Sequence, residues 1–159
     1  MLNPTDDVRI AGLRPLLPPA ILMEELPIGE SEVVTVAGSR ERTRQILHGE
    51  DGRLLIVVGP CSLHDPEAGL VYARRLLTFA ERRREDVEVI MRVYFEKPRT
   101  IVGWKGLIND PRRDGSFAIN EGLRLARGFL LDCLRAGVPA AGEFLDPISP
   151  QFIADLVSW

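Results

Sequence analysis

Leu54-Leu-Ile-Val-Val-Gly-Pro-Cys-Ser-Leu-His-Asp-Pro66 is the stretch that decides the fold. It begins with a short apolar run that is rich in β-branched residues and has no polar alternation. Such a run predicts a strand that is buried on both faces, as in a parallel sheet. Asp65 followed by Pro66 is the pattern of a helix N-cap and first helical residue. The stretch therefore predicts a strand, a loop and a helix in succession.

The same alternation of strand and helix continues along the chain. Strands are predicted near residues 53–58, 87–93 and 140–145. Helices are predicted over residues 19–26, 30–48, 66–83 and 118–136, and a last helix, capped by Ser149 and begun by Pro150, runs to the end of the chain. Repeated strand–helix units require parallel pairing and right-handed crossovers. Two closures stay open: a doubly wound sheet, or part of an eight-stranded barrel, which typically needs about 250 residues.

The chain divides by pattern into an N-terminal extension with its helix, residues 1–50, and an α/β region, residues 51–159. Prolines interrupt the first 29 residues, although residues 7–11 alternate in the manner of a short edge strand. The extension has enough apolar residues to pack on its own domain or on a partner subunit. The chain stops after Trp159 without a helix C-cap, which favours a truncated chain and an incomplete barrel.

Composition narrows the class of protein. The 159 residues are 45% apolar and 27% charged, which is typical of one globular domain. The net charge of −3 argues against non-specific binding to nucleic acid. The two cysteines form no CxxC pair, the N-terminus has no signal-peptide pattern, and no apolar run approaches the roughly 20 residues of a membrane helix. We therefore expect a cytoplasmic protein that does not contact membranes.

Polar side chains gather where the predicted strands end. The first exit has Cys61, Ser62 and His64, the second Arg92, Glu96, Lys97, Arg99 and Thr100, and the third Glu143 and Asp146. Ligands of parallel α/β folds bind at the carboxyl ends of the strands. The sequence therefore predicts one ligand site at this edge of the sheet.

The second exit favours an anionic ligand over a solvated basic loop. Arg92 lies within an apolar strand pattern, where an unpaired charge is costly, and Pro98 stiffens the chain between Lys97 and Arg99. Arginine offers a planar fork to phosphate or carboxylate, and lysine offers a point charge. A ligand with both a phosphate and a carboxylate would use both.

Two further residues keep more than one interpretation. Cys61 is either a small buried apolar residue, a metal ligand or a nucleophile, and a single thiolate does not hold a metal alone. Glu143 either forms a salt bridge with Lys97 or Arg92 or orients a water molecule. Cys133 lies within a predicted helix and is interpreted as packing.

Three motifs carry a resemblance to a known family: Gly59-Pro-Cys-Ser62, Glu96-Lys-Pro-Arg-Thr100 and Gly103-Trp-Lys-Gly-Leu-Ile-Asn-Asp-Pro111. The chain resembles the class I 3-deoxy-D-arabino-heptulosonate 7-phosphate (DAHP) synthases, and among them the microbial feedback-regulated isoenzymes. The resemblance implies an N-terminal extension followed by the first three strand–helix units of a (β/α)₈ barrel. It also implies condensation of phosphoenolpyruvate with erythrose 4-phosphate, the first step of the shikimate route to aromatic amino acids.

The resemblance also implies roles for individual residues. Cys61 would be the thiolate ligand of a divalent metal. Arg92 and Lys97 would be catalytic and bind phosphoenolpyruvate, with Glu143 close by. The residues that would meet erythrose 4-phosphate are Pro98, Arg99 and Thr100.

Regulation and assembly follow from the same resemblance. An aromatic amino acid effector would bind near Asp6, Asp7, Pro150 and Gln151, and the full-length protein would be a homo-oligomer. The segment that begins at Asp6 resembles the phenylalanine-sensitive form, whereas residues 146–151 resemble the tyrosine-sensitive form. The effector is therefore left unassigned.

Three functions remain open at this stage. The first is the synthase, with this chain inactive alone, because the family's other metal ligands lie on later strands. The second is a non-catalytic regulatory or interaction protein derived from the same family. The third is an open α/β domain whose basic loop is only solvated. The nucleotide sequence after codon 159 separates the first two, since an in-frame continuation favours the enzyme and a stop favours the second.

Overall fold

The structure, a computed structural model, describes residues 6, 8–10, 12–98 and 102–159. Within these residues the helices are α1 Pro19–Glu25, α2 Glu30–Leu47, α3 Pro66–Arg82, α4 Ile119–Arg135 and α5 Pro150–Ile153, with a 3₁₀ turn over Ala154–Leu156. The strands are β1 Leu54–Val58, β2 Val87–Arg92 and β3 Ala140–Ala141. The predicted alternation of strand and helix is therefore confirmed.

The three strands form one parallel sheet in the order β1-β2-β3. Leu54 pairs with Val87 and Val58 with Met91, while Arg92 pairs with Ala141. Because all three strands run the same way, their carboxyl ends meet at one edge, as the sequence predicted.

The prediction that the first strand is buried on both faces is wrong. Leu54, Val57 and Val58 are 64%, 42% and 37% exposed. β1 is an edge strand that pairs only with β2 among the described residues. An apolar run indicates the surroundings that a strand can tolerate, but it does not supply the neighbours that would cover it.

The last part of the chain is less regular than predicted. The third strand ends at Ala141 rather than Leu145, because β2 pairs with only its first two residues. Glu143 therefore lies in the loop beyond the strand and is exposed. Helix α5 stops at Ile153 instead of continuing to the terminus, and Ser149 stands at its N-cap position without a side-chain cap. Asp65, in contrast, caps α3 as predicted by accepting from the Ala68 N–H at 3.1 Å.

Helix α4 is the centre of the core. Its predicted apolar stripe is buried, namely Leu123, Ala126, Leu130 and Leu134, and so is Cys133. These side chains pack with Met91 and Val93 of the central strand region and with the following loop. The helix thereby fixes the position of the segment that leaves β2.

The extension packs on its own domain. The Leu17 N–H donates to Asn120 Oδ1 at 3.0 Å, and Glu25 forms an ion pair with Arg124 at 2.7 Å. The predicted edge strand over residues 7–11 is wrong for its described part, because residues 8 and 9 lie in a turn and residue 10 in no regular element. Alternation alone does not make a strand, because a strand also needs a neighbouring strand with which its backbone pairs. Asp7 lies outside the described residues, and the division at residue 50 stays a prediction.

Arg127 joins the extension to the end of the chain. The residue is 1% exposed, and its guanidinium donates to the Leu26 and Phe152 carbonyl oxygens at 2.8 Å each. It also forms a bidentate pair with Asp155 at 2.8 and 2.9 Å. A buried guanidinium needs such partners, because a charge without them is costly in the interior.

Candidate active site

The loop after β1 is fixed against the exit of β2. Arg92 Nη2 donates to the carbonyl oxygens of Gly59 and Pro60 at 3.0 Å each. The Leu63 N–H donates to the Tyr94 carbonyl oxygen at 2.9 Å. A Cβ on Gly59 would lie 2.1 Å from the Arg92 carbonyl oxygen, so only glycine permits this approach. The two strand exits therefore form one rigid unit.

Cys61 and Lys97 meet across these two exits. Lys97 Nζ lies 3.3 Å from Cys61 Sγ and donates to the Cys61 carbonyl oxygen at 3.2 Å. Cys61 is exposed, so its interpretation as a buried packing residue is wrong. An ammonium group beside an exposed sulfur is a setting for anion binding or sulfur chemistry. Cys133 is different, because burial raises the pKa of its thiol to about 12.

Arg92 adds a second cation at the same two strand exits. Its guanidinium carbon lies 5.0 Å from the centre of the Tyr94 ring, within the range of a cation–π contact. Its Nε is buried without a hydrogen-bond partner in the described part of the chain. A buried donor without a partner is costly. The guanidinium therefore has unused donor capacity, which an anionic ligand would satisfy.

A short hairpin-like segment presents Lys97. The Lys97 N–H donates to the Lys105 carbonyl oxygen at 2.9 Å, and Glu96 forms an isolated antiparallel bridge with Gly106. Gly106 has φ +110°, and a Cβ there would lie 2.1 Å from the Phe95 carbonyl oxygen. At the turn of this segment, Trp104 Nε1 donates to the Asp110 carbonyl oxygen at 2.7 Å. Gly106 thus allows close backbone contact within the loop.

Glu96 connects this segment to the residues before α5. Its Oε1 accepts from Asn109 Nδ2 at 3.2 Å and its Oε2 accepts from Ser149 Oγ at 3.0 Å. Burial raises the pKa of Glu96, and the nearby charge of Asp146 acts in the same direction. Sequence patterns predict only a polar residue at a strand exit here, because the partner Ser149 is 53 residues away. The Ser149 hydroxyl thus donates to Glu96 and does not cap helix α5.

Other predicted site residues form no bond with Cys61 or with the Lys97 side chain in the described part of the chain, or lie outside it. Glu143 forms no ion pair with Lys97 or Arg92 in the described part of the chain, so its salt-bridge interpretation is wrong there. His64 is an exposed loop residue next to the N-cap of α3, and Pro98 is exposed beside Lys97. Arg99 and Thr100 lie outside the described residues.

The predicted effector residues lie at the two ends of the chain. Asp6 is exposed, Pro150 begins α5, and Gln151 donates through its amide to the Pro147 carbonyl oxygen at 3.2 Å. Asp146 accepts from the backbone N–H groups of Ile148 and Ser149 at 2.6 and 2.9 Å. Although partial burial opposes it, these bonds lower the pKa of Asp146. The turn before α5 is therefore well formed.

A divalent metal fits this site in part. The exposed Cys61 sulfur has the chemistry of one metal ligand. Among the residues that the structure describes, no group of three His, Cys, Asp or Glu side chains is placed to hold an ion. The described residues would thus supply one ligand of a larger set. The same residues include no helix with the length and apolar character to cross a membrane.

The chain is similar to known proteins over almost its whole length. A model of the DAHP synthetase I family matches residues 25–159. The chain is 58% identical over 154 residues to the Phe-sensitive phospho-2-dehydro-3-deoxyheptonate aldolase of Escherichia coli, covering 97% of this chain and 44% of that protein. It is 51% identical over 158 residues to the Trp-sensitive aldolase of Enterobacter agglomerans, covering 99% of this chain and 45% of that protein. The chain thus spans about half the length of these relatives.

A further relative and a solved structure extend the agreement. An aldolase of the same name from Amycolatopsis methanolica is 58% identical over 154 residues, covering 97% of this chain and 76% of that protein. The solved structure is the phospho-2-dehydro-3-deoxyheptonate aldolase of Francisella tularensis, with a TM-score of 0.91 and 48% identity. The match covers 94% of this chain and 44% of that one. The likeness therefore includes both the sheet and the helices around it.

Proposed function

Because the chain belongs to the DAHP synthetase I family, we propose that it supplies part of a DAHP synthase active site. That site condenses phosphoenolpyruvate with erythrose 4-phosphate and releases phosphate. The single observation that carries the proposal is the contact between Lys97 Nζ and Cys61 Sγ at 3.3 Å, across two strand exits. An ammonium, a thiol and the Arg92 guanidinium are the groups that an anionic substrate and a metal require.

Arg92 and Lys97 are assigned to phosphoenolpyruvate. The buried Nε of Arg92 lacks a partner among the described residues, which suits a ligand that brings its own acceptors. Lys97 contributes a point charge from the same strand exit. Pro98, Arg99 and Thr100 are assigned to erythrose 4-phosphate because the motif Glu96-Lys-Pro-Arg-Thr100 resembles that of the family. Glu143, exposed beyond β3, is assigned to the border of the phosphoenolpyruvate site.

The reaction explains why two cations are needed. The methylene carbon of phosphoenolpyruvate forms a bond to the aldehyde carbon of erythrose 4-phosphate, and the aldehyde oxygen takes up a proton. Water adds to the electron-poor carbon that remains, and phosphate leaves as the keto group forms. Arg92 and Lys97 neutralise the anionic partner and hold it in attacking orientation, which lowers the entropic part of the barrier.

Cys61 would hold the divalent metal as a thiolate, together with ligands beyond the described residues. When bound, the metal supplies Lewis acidity toward a substrate oxygen.

We further propose that the sheet is part of a (β/α)₈ barrel. The parallel order β1-β2-β3 and the exposed apolar edge of β1 support this, since a barrel leaves no strand edge unpaired. The relatives named Phe-sensitive and Trp-sensitive support an aromatic amino acid effector of the complete protein. Asp6, Asp7, Pro150 and Gln151 are the proposed effector residues.

A non-catalytic regulatory or interaction protein of the same family is the second candidate. The observation in its favour is the incomplete metal set among the described residues. Such a protein would bind phosphoenolpyruvate or a family member without turnover. Release of phosphate that depends on both substrates and on added divalent metal separates the two, because only the synthase predicts it.

Calorimetric titration with phosphoenolpyruvate tests the site itself. We expect Lys97→Met to weaken binding roughly ten- to hundredfold, because a charged hydrogen bond contributes about 1.5–3 kcal/mol. Arg84→Met removes a cation from an exposed pair with Glu85 and should leave binding unchanged. Equal affinity of the Lys97→Met variant and the parent, or no binding by the parent, would contradict the proposal.

A further inference from the structure

We propose that Glu96 is a positioning residue, whose carboxylate fixes the segment that presents Lys97 to the Cys61 thiol. The inference rests on the function proposed above for Lys97. The contact that it explains, between Lys97 Nζ and Cys61 Sγ, is present in the structure whatever that function is. Glu96 does not itself reach the sulfur. It acts through the backbone of the residue that follows it.

The carboxylate connects the two halves of its own segment with the turn before α5. Through Oε1 it holds Asn109, which lies on the returning half of the same segment, and through Oε2 it holds Ser149 at the start of α5. Asn109 Nδ2 also approaches the Lys105 carbonyl oxygen at 3.4 Å, the carbonyl that accepts from the Lys97 N–H. Ser149 is buried and its own N–H is fixed by Asp146. One side chain thus joins the two halves of the Lys97 segment and ties them to the turn before α5.

Among the described residues, little backbone pairing holds the segment around Lys97. Its described halves share one antiparallel bridge, between Glu96 and Gly106. The Lys97 N–H bonds to the Lys105 carbonyl oxygen, and the Phe95 carbonyl oxygen accepts a longer backbone bond of 3.4 Å. The lysine side chain has several rotatable bonds, and fixing it in one arrangement costs up to about 2 kcal/mol of entropy. A defined Nζ position therefore requires a defined backbone at residue 97, which the Glu96 contacts provide.

The setting of Glu96 agrees with a specific role. Its carboxylate is half-buried next to Asp146, a place where ionisation is disfavoured. Two hydrogen bonds oppose that cost. The group is thus held by named donors on two loops rather than by water.

The alkylation rates of Cys61 report whether the Lys97 ammonium lies beside the sulfur. Iodoacetate is an anion and iodoacetamide is neutral, while both react with the same sulfur. The ratio of their rate constants therefore reports the local positive potential and is insensitive to the intrinsic reactivity of the thiol. Cys133 is fully buried, and peptide mapping separates its product from that of Cys61.

Lys97→Met sets the lower reference, because it removes the cation beside the sulfur. We expect Glu96→Ala to lower the iodoacetate-to-iodoacetamide ratio roughly three- to tenfold, toward that reference, as expected for displacing one charge near an exposed site. Glu96→Gln keeps an acceptor for Asn109 and can bond to the Ser149 hydroxyl, so it should retain the parent ratio. Glu41→Ala, which removes an exposed carboxylate of α2, is the matched control and should change nothing.

The sign of the effect separates positioning from simple electrostatics. Removing a carboxylate near the site would by itself make the potential more positive and raise the ratio. A ratio that stays or rises in Glu96→Ala, or that falls equally in Glu96→Gln, would overturn the proposal. So would a Lys97→Met variant with the parent ratio, since the contact would then be absent in solution.

Two measurements keep this test independent of folding and of the substrate. If Glu96→Ala loses its cooperative thermal transition, the Asn109→Ala/Ser149→Ala pair removes both donors and should lower the ratio in the same way. The ratio is measured without phosphoenolpyruvate. A protein that fails to bind that substrate but shows the predicted ratios would contradict the proposed function and support the role of Glu96.

Discussion

At the scale of single residues, the candidate site depends on how closely two backbones approach. Gly59 lies against the Arg92 carbonyl, and Arg92 in turn binds the Gly59 and Pro60 carbonyls. The guanidinium that would bind substrate therefore also joins β1 to β2. A change at either residue affects both the sheet and the site.

We predict that Gly59→Ala lowers the free energy of unfolding by about 1–3 kcal/mol, the usual cost of overpacking. The added Cβ would lie 2.1 Å from the Arg92 carbonyl oxygen, so the two strands would have to separate. Denaturant unfolding followed by circular dichroism measures the change.

Gly128→Ala is the control for this substitution. Gly128 lies within α4, and a Cβ there meets no atom within 4 Å. Alanine should raise the unfolding free energy by about 0.5–1 kcal/mol, because glycine loses more conformational freedom in a helix. A Gly59→Ala protein as stable as the parent would contradict the close approach of Gly59 to the Arg92 carbonyl oxygen.

At the scale of elements, Arg127 is the clearest connection. Helix α4 uses this one side chain to hold the end of the α1 segment at Leu26 and the α5 region at Phe152 and Asp155. The α5 region also carries Ser149, the partner of Glu96. The extension and the Lys97 segment therefore share a neighbour.

We predict that Arg127→Met lowers the unfolding free energy by about 3–5 kcal/mol, because it leaves buried carbonyls and a carboxylate without their partner. Arg124→Met, one turn away, breaks the exposed pair with Glu25 and should cost at most about 1 kcal/mol. Thermal and denaturant melts of the two variants, compared side by side, give the difference. An equal decrease in the unfolding free energy of both variants would show that burial does not strengthen the contribution of the Arg127 contacts to stability.

The elements also mark where sequence reasoning succeeds and where it stops. The helices and the Asp65 cap follow from local signals, namely apolar spacing and an aspartate before a proline. The parallel sheet follows from the order of the elements. The shortness of β3 and the exposure of β1 do not, because both depend on which strands stand beside them.

The same division applies to the site. Strand exits predict that polar residues, Cys61 and Lys97 among them, gather at one edge of the sheet, and the structure shows these two in contact. Nothing local predicts that Glu96 bonds to Ser149 or that Arg127 bonds to Asp155. Those contacts join residues that are distant along the chain, and only the packing of helices on the sheet brings them together.

At the scale of the whole molecule, apolar surface remains exposed along β1. Leu54, Val57 and Val58 are all more than a third exposed, and the outer edge of the strand pairs with no described strand. Unpaired edges with apolar side chains promote association. The chain therefore offers a surface for further β-pairing.

We predict that the isolated 159-residue chain self-associates as its concentration rises, and that Leu54→Lys reduces this association by placing a charge at the edge. Val34→Lys is the control, since Val34 is 70% exposed but lies on helix α2 rather than on the strand. Size-exclusion chromatography with light scattering measures the average mass. A parent chain that stays monomeric at all concentrations would contradict the prediction.

The register between β1 and β2 decides whether the candidate site forms at all. Val58 is paired with Met91, and this alignment sets Cys61 beside Lys97. A slip of one residue would shift the loop by about 3.3 Å and turn each side chain to the opposite face. The sulfur and the ammonium would then no longer meet. A molecule with a misaligned sheet would therefore lack the candidate site. A protein population with mixed registers would contain fewer molecules able to bind the substrate, and the misaligned ones would gain no other reaction.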